Sequence, residues 1–324
     1  MALRRRPHTP PAAGTALPLP GAVAPAVAAA PAGDQVLRGI LYVVLATLLF
    51  GVMDASIKWL GATYPVPQVG FFRSVFGLLP LLPMAARGPG GLRGALRMQQ
   101  PVGVLGRSLL APAAMLCIFA SFVLLPLAEA ITIGFAAPIV MAVLGVFLLG
   151  ERVGWRRWAA ILAGFGGVLI VVRPDGLSLS VGAGLALGGT LIYSLSMVWG
   201  RRLMRRDGAM TLALYTHLIA IVVLAAVLPW NWVTPTLPDL ALMAVMGIAG
   251  GFAALFLTRG YQLGPVAVLG PFDYLNLPVA AFSGWLIWQE IPGTHVWWGA
   301  AVIVGSGLYI VHRERQAKAG GSGA

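Results

Sequence analysis

The sequence has little of the chemistry on which soluble enzymes and metal-binding proteins depend. One cysteine, Cys117, and four histidines occur in 324 residues, which excludes a disulfide framework and a Cys/His zinc site. The chain contains no P-loop, no HExxH motif and no GxSxG motif, so signatures of nucleotide hydrolysis and of common hydrolases are missing. We therefore predict neither an enzymatic activity nor a cofactor.

Charged residues are also scarce. Asp, Glu, Lys and Arg make up 10% of the chain, hydrophobic residues make up 59%, and the mean hydropathy is +0.87, whereas about 25% of a typical soluble domain is charged. The net charge is +12, but the basic residues separate apolar runs instead of forming one basic face, so nucleic acid is not a predicted partner. The composition predicts a protein embedded in membrane lipid.

Long apolar runs account for most of the chain. A hydrocarbon core about 30 Å thick requires about 20 apolar residues per helix. Ten runs of this kind are predicted to span the membrane: 38–60, 67–86, 102–125, 128–149, 155–173, 181–201, 209–229, 238–258, 265–288 and 294–312. The Ala- and Pro-rich residues 1–35 are predicted to be a disordered cytoplasmic tail, and residues 314–324 a second cytoplasmic tail.

The distribution of basic residues predicts the orientation of these spans. With the N-terminus in the cytoplasm, all Lys and Arg residues except four fall in cytoplasmic segments. Two of the exceptions, Lys58 and Arg173, lie on the outer side, and the other two, Arg73 and Arg107, lie within spans. Basic residues resist translocation, so this asymmetry places both termini in the cytoplasm. We predict a multi-pass protein of a bacterial-type inner membrane.

The two halves of the chain resemble each other. Residues 48–60 match 191–203 at a shift of 143, and residues 150–172 match 289–311 at a shift of 139. Each half holds five predicted spans, and an odd number makes the second half enter the membrane with opposite topology. The predicted fold is an all-α polytopic membrane protein with ten transmembrane helices in two inverted five-helix repeats, residues 36–175 and 176–313.

Several short motifs accompany this duplicated plan. They are Phe72-Arg73, Leu149-Gly150-Glu151-Arg152, the run from Gly164 to Ile170, and Gln289-Glu290. In this order they resemble the EamA-type branch of the drug/metabolite transporter superfamily over about residues 38–312. The resemblance implies a secondary transporter that moves a small organic metabolite by alternating access around a central cavity.

Two segments indicate which members of this branch the chain resembles most. Residues 54–59 and 271–274 look most like those of bacterial riboflavin and S-adenosylmethionine carriers, and amino-acid or drug/metabolite exporters are more distantly similar. A channel and a membrane scaffold without transport remain alternatives from other classes. A small-molecule substrate, and protons as a coupling ion, are the expected partners.

Asp54 lies near the middle of the first span. An ionisable group at this depth costs at least about 2.5–3.5 kcal/mol, which makes it a functional candidate. Asp54 is predicted to carry a coupling proton or to contact substrate, and Lys58 is a second candidate for substrate binding or coupling. Alternatively, Asp54 pairs with Lys58, four residues further along the same helix face, while the Lys58 ammonium reaches the outer surface.

A second acidic candidate lies between two prolines. Pro271 and Pro278 are predicted to break the ninth span, because each lacks a backbone N–H, and broken helices are tolerated where they line a cavity. Asp273, Tyr274 and Asn276 in this segment are predicted to contact substrate through charge, stacking and hydrogen bonds. The alternative is a packing kink in which Asp273 neutralises an arginine.

Arg73 and Arg107 are the basic residues predicted within the second and third spans. Either guanidinium suits an anionic group of the substrate. The alternatives are that they pair with Asp54, Asp273 or Glu129, or that they lie close enough to the membrane surface for the guanidinium groups to reach it.

Aromatic residues on central helices suit a flat heterocyclic substrate, although they are also common packing residues. The candidates are Tyr193 and, more weakly, Phe50, Phe135, Trp199 and Tyr215.

Glu151 and Glu290 occupy equivalent positions at helix ends in the two repeats. Each is predicted to cap the helix that follows it, in a structural or gating role. Glycines at a four-residue spacing predict close helix contacts at Gly184/Gly188 and Gly247/Gly251.

Overall fold

The computed structural model describes residues 33–149, 154–173 and 180–320, and these residues form helices without any strand. The helices are α1 (Gly33–Gly61), α2 (Val66–Arg87), α3 (Gly91–Ala95), α4 (Pro101–Leu124), α5 (Leu127–Gly134), α6 (Ala137–Leu149), α7 (Trp155–Val172), α8 (Val181–Leu203), α9 (Ala209–Val227), α10 (Leu237–Leu263), α11 (Val266–Leu269), α12 (Asn276–Trp288) and α13 (Thr294–Gly320). Two 3-10 segments cover Leu228–Trp230 and Gly270–Leu275.

Within the described ranges, seven helical segments are long and apolar enough to cross a membrane. They are Asp34–Gly61, Val66–Arg87, Pro101–Leu124, Leu127–Leu148, Val181–Leu203, Ala209–Trp230 and Leu237–Leu263, and Trp158–Val172 is a shorter apolar helix. Each buries at most about half of its apolar window inside the protein, which leaves the remaining surface for lipid. The chain is an all-helical, multi-pass membrane protein.

Helix α13 extends further than the apolar run that predicted it. The run ends near residue 312, whereas the helix continues to Gly320. The added residues include Arg, Glu, Gln, Ala and Lys, which are strong helix formers and need no burial to remain helical. Hydropathy therefore located the apolar part of this helix but not its end.

Glycines set the distance between α2 and α10. A β-carbon at Gly251 would lie 2.4 Å from Pro80 Cγ and 2.8 Å from the carbonyl oxygen of Gly77, and one at Gly247 would lie 2.5 Å from Phe76 Cβ. The prediction of close contact at this pair is confirmed.

The same prediction is wrong for Gly184 and Gly188. A β-carbon at either position on α8 would have no neighbour within 4 Å. Small residues at a four-residue spacing permit close helix contact, but they do not supply a partner.

Two helices of the bundle are interrupted. The predicted break at Pro271 is confirmed, because the Gly270–Leu275 segment is a 3-10 helix between α11 and α12. A second break, between α5 and α6 at Phe135 and Ala136, was not predicted. Its signal is Pro138, which has no N–H to bond the carbonyl of Gly134. The break between α5 and α6 lies in the interior, since Ala136 is 3% exposed, whereas the residues of the Gly270–Leu275 segment are half-buried or exposed.

Candidate functional site

The Asp54 carboxylate is buried about two turns before the end of α1, with 6% of the residue exposed. The Asn276 amide, at the start of α12, donates a long hydrogen bond of 3.4 Å to Asp54 Oδ2. The half-buried Arg73 guanidinium on α2 lies within electrostatic range of Asp54. The alternative Asp54–Lys58 pair is wrong, because Lys58 binds a different carboxylate. Asp54 thus faces α2 and α12.

A cavity of about 200 Å³ adjoins Asp54 and Asn276. Polar Ser121 and Thr190 and the aromatic ring of Phe135 also line it. Asn276 Oδ1 is buried and has no hydrogen-bond partner among the described residues. A buried acceptor without a partner costs about 1–3 kcal/mol. The cavity therefore offers a carboxylate and a free amide oxygen to a ligand that donates hydrogen bonds.

Asp273 lies on the 3-10 segment and accepts a short hydrogen bond from the Tyr261 hydroxyl at the end of α10. The alternative in which Asp273 neutralises an arginine is wrong, because among the described residues its carboxylate bonds this tyrosine and forms no ion pair with Arg73 or Arg107. The next residue, Tyr274, packs edge-to-face on Phe135 with ring centroids 5.1 Å apart. Sequence reasoning missed Tyr261, because nothing distinguishes it from a packing residue.

Arg107 connects three helices. It is 7% exposed, and its Nε donates to the Ser196 carbonyl at 3.1 Å while Nη1 donates to Thr216 Oγ1 at 2.9 Å. Tyr193, 41% exposed, lies within electrostatic range of both Arg107 and Asp273. Two of the Arg107 donors are thus committed to α8 and α9, and its role as an anion ligand stays a prediction.

Lys58 is buried, with 7% of its side chain exposed. Its ammonium donates to Glu290 Oε1 at 2.5 Å and to the Leu125 carbonyl at 2.7 Å, and lies 5.3 Å from the ring centroid of Trp288. The expectation that this ammonium reaches the outer surface is wrong. A carboxylate distant in the sequence holds it inside.

Glu290 follows α12, but it does not cap the next helix as predicted. Its Oε2 accepts the backbone N–H of Leu127, the first residue of α5, at 3.0 Å. The first N–H groups of a helix lack intrahelical partners, and those of α5 lie nearer to this carboxylate. The equivalent Glu151 lies outside the described residues.

The two prolines occupy positions that need no amide donor. Pro271 opens the 3-10 segment, and Pro278 lies in the first turn of α12. They frame Asp273, Tyr274 and Asn276.

The weaker aromatic candidates divide. Phe135 lines the cavity, whereas the Tyr215 hydroxyl donates to the Leu96 carbonyl at 3.0 Å and connects α9 to the segment before α4. The structure thus brings Asp54, Asn276 and Phe135 to one cavity. Lys58 instead bonds Glu290, and Arg107 bonds Ser196 and Thr216.

Buried carboxylates, guanidinium groups and interrupted helices inside an apolar helical bundle are the arrangement of membrane transport proteins. The model of the EamA-like transporter family matches residues 37–173 and 180–312. The chain therefore belongs to the EamA-like transporter family and is a small-molecule transporter of the drug/metabolite transporter superfamily.

Three relatives illustrate the range of the family. The riboflavin transporter of Rhizobium johnstonii is 31% identical over 85% of this chain and 91% of its own length. The pseudopaline exporter of Pseudomonas aeruginosa is 30% identical over 84% and 95%, and the S-adenosylmethionine uptake transporter of Rickettsia prowazekii is 25% identical over 86% and 94%. One solved crystal structure, 21% identical, covers 87% of this chain and 98% of its own with a TM-score of 0.58, which supports the fold.

Proposed function

We propose that this protein is a secondary transporter with ten transmembrane helices in two inverted repeats, which exposes a central cavity alternately to the two membrane faces. It moves its substrate without a chemical step. The two repeats correspond to about residues 36–175 and 176–313, and the positive-inside distribution favours cytoplasmic termini.

Reciprocal contacts between α7 and α13 support the repeat. A shift of 139 residues relates Gly164 to Ile303 and Gly167 to Ser306. A β-carbon at Gly164 would lie 2.4 Å from Ser306 Oγ, and one at Gly167 would lie 2.9 Å from Ile303 Cγ1. The repeat equivalents of Gly164 and Ser306 are Ile303 and Gly167, so the two contacts are equivalent under the repeat. A two-fold axis between the helices requires this equivalence.

The interrupted helices support the same axis. The shift of 139 also relates Phe135 to Tyr274, and these two rings are in edge-to-face contact. Each belongs to a break in the fourth or ninth predicted span, so equivalent breaks meet near the centre. Transporters with inverted repeats place their binding sites at such breaks.

The cavity favours a substrate with a cationic, hydrogen-bond-donating group. The observation that carries this proposal is the unpartnered, buried Asn276 Oδ1 next to the Asp54 carboxylate. S-adenosylmethionine, with its ammonium and sulfonium groups, fits this pattern, and one relative carries a name for its uptake.

The volume indicates which part of the ligand the cavity holds. About 200 Å³ is smaller than the roughly 300–1,000 Å³ of pockets for whole drug-sized ligands, so in this conformation it holds the amino-acid part of the substrate. A carboxylate such as Asp54 that accepts either a proton or the substrate cation would couple substrate movement to a proton gradient.

A riboflavin-like substrate is the second candidate. The Phe135–Tyr274 pair beside the cavity offers aromatic edges and faces to a flat ring, and a 31% identical relative is named a riboflavin transporter. Riboflavin has no cationic group, so its binding would not depend on the charge of Asp54.

The test is transport by the purified protein in proteoliposomes, with S-adenosylmethionine, riboflavin and amino acids, each with and without a pH gradient. Asp54→Asn is compared with Asp239→Asn, whose half-buried carboxylate is bonded to Tyr64 and Thr236. S-adenosylmethionine flux that is lost in Asp54→Asn and kept in Asp239→Asn supports the proposal. Riboflavin flux indifferent to Asp54→Asn selects the second candidate, and absence of any flux contradicts transport of these solutes.

A further inference from the structure

Four groups form one connected polar cluster at the end of α1 remote from the N-terminus. The Lys58 ammonium binds Glu290 Oε1 at 2.5 Å and the Leu125 carbonyl at 2.7 Å, and Glu290 Oε2 binds the Leu127 N–H at 3.0 Å. We call Lys58, Glu290 and the backbone groups of Leu125 and Leu127 the latch.

The latch lies where α1 meets the ends of three other helices. α1 packs along α10 and α12, and it also packs against the end of α4, where a β-carbon at Gly61 would lie 2.5 Å from Val123 Cγ2. Glu290 follows α12, and Leu125 and Leu127 flank the α4–α5 junction. The latch therefore adds an ion pair to the seam between α1 and the ends of α4, α5 and α12.

The cavity lies directly inward from the latch. Asp54 is one helical turn before Lys58, about 6 Å along the axis of α1. Ser121, near the end of α4, is 1% exposed and lines the same cavity. The latch thus separates Asp54 from the membrane face at which α1 ends, which the positive-inside distribution assigns to the outside.

Breaking the latch leaves charged groups without partners. The ammonium and the carboxylate satisfy each other and each also bonds a backbone group, so the pair is stable while it is closed. Removing either partner leaves a buried charge unpaired, which is strongly unfavourable. A substrate that neutralises Asp54 or an incoming solvent that hydrates Lys58 changes this balance and lets the two sides part.

We propose that the latch is the outer gate of this transporter, closed in the present conformation, and that separation of Lys58 from Glu290 opens the Asp54 cavity to the outside. The proposal rests on the alternating access proposed above. It gives Lys58 a gating role in place of substrate binding.

The first test measures access to the cavity without any substrate. Ser121→Cys in a Cys117→Ala background reports on the cavity, and a membrane-impermeant maleimide is added from outside. Lys58→Gln and Glu290→Gln are expected to increase the labelling rate about tenfold, within the range of typical conformational coupling. Asp239→Asn, an acid-to-amide change in the hydrogen-bonded Tyr64–Thr236 cluster, is expected to leave the rate unchanged. Equal rates in all four proteins would overturn the proposal.

The second test locks the gate without leaving a buried charge. Lys58→Cys/Glu290→Cys, in the same Cys117→Ala background, is joined by a short bifunctional thiosulfonate, and flux is measured before joining, after joining and after reduction. Joining is expected to stop flux and reduction to restore it. The control, Tyr64→Cys/Asp239→Cys, joins the end of the α1 segment to α10, which already pack together, and is expected to keep its flux when joined.

The outcomes separate the two proposals. Unchanged flux in the joined Lys58/Glu290 variant contradicts the gate while leaving transport in place. Increased labelling of the latch variants, with no flux of the tested solutes in the unmodified protein, supports the gate and contradicts the proposed substrates, while leaving alternating access in place.

Discussion

Replacing Gly251 with alanine is predicted to destabilise the protein by separating α2 from α10. The added β-carbon would lie 2.4 Å from Pro80 Cγ and 2.8 Å from the Gly77 carbonyl oxygen. Neither group can move alone, because one belongs to a proline ring and the other to the helix backbone. Relief requires the two helices to shift apart.

The magnitude follows from two opposed effects. Alanine in a helix is about 0.5–1 kcal/mol more favourable than glycine, whereas overpacking in a close-packed interior costs about 1–3 kcal/mol. With the middle of each range, the net change for Gly251→Ala is a loss of about 1 kcal/mol. In Gly188→Ala no atom lies within 4 Å of the new β-carbon, so this variant gains the higher helix propensity of alanine without a steric clash.

The assay compares the two variants in one detergent by the temperature at which half of the protein aggregates. Gly251→Ala is expected to aggregate at a lower temperature than the unmodified protein, and Gly188→Ala at an equal or slightly higher one. Equal or increased stability of Gly251→Ala would refute the close approach of α2 and α10, and with it the position of Arg73 beside Asp54.

Three further predictions concern the polar groups. Asn276→Ala removes a buried acceptor without a partner and also the donor of the long hydrogen bond to the buried Asp54 carboxylate, so the two effects oppose each other and thermal stability is expected to change little. The KM for substrate is expected to rise about tenfold, the effect of losing one hydrogen bond to a charged group, and an unchanged KM would contradict the assignment of Asn276 to the binding site. Tyr261→Phe removes the hydroxyl bonded to Asp273 and is expected to lower the free energy of unfolding by about 1.5–3 kcal/mol. The measurement is the temperature of thermal aggregation, and the control is Tyr309→Phe, since Tyr309 is exposed. A lysine at position 107 cannot reproduce the guanidinium fork that bonds both Ser196 and Thr216, so Arg107→Lys is expected to lower thermal stability. A stability equal to that of the unmodified protein would show that these two hydrogen bonds do not stabilise the fold.

The cost of burying charge is what made parts of the site predictable. Asp54 and Asp273 were identified because a carboxylate in an apolar span needs a reason to be there. Pro271 likewise predicted the break before α12 from its missing N–H alone. These inferences use properties of one residue and its immediate neighbours, which the sequence contains.

Pairings between distant helices were not predictable in the same way. The spacing of four residues suggested that Lys58 pairs with Asp54. The Lys58 ammonium instead binds Glu290, which is 232 residues away. The acceptor of the Tyr261 hydroxyl and the helix that Glu290 caps depend equally on how whole helices pack. The break at Phe135 was missed although Pro138 marks it, because the apolar run continues through it without a change in hydropathy.

The central claim is that the Asp54–Asn276 cavity binds and carries a cationic metabolite. Counterflow of radiolabelled S-adenosylmethionine tests it most directly, because exchange by a carrier needs no ion gradient. Proteoliposomes preloaded with unlabelled substrate are predicted to accumulate label transiently, and those containing Asp54→Asn are predicted not to. Accumulation that is the same in both would contradict the role of Asp54, and a lack of accumulation with the unmodified protein would contradict S-adenosylmethionine as substrate.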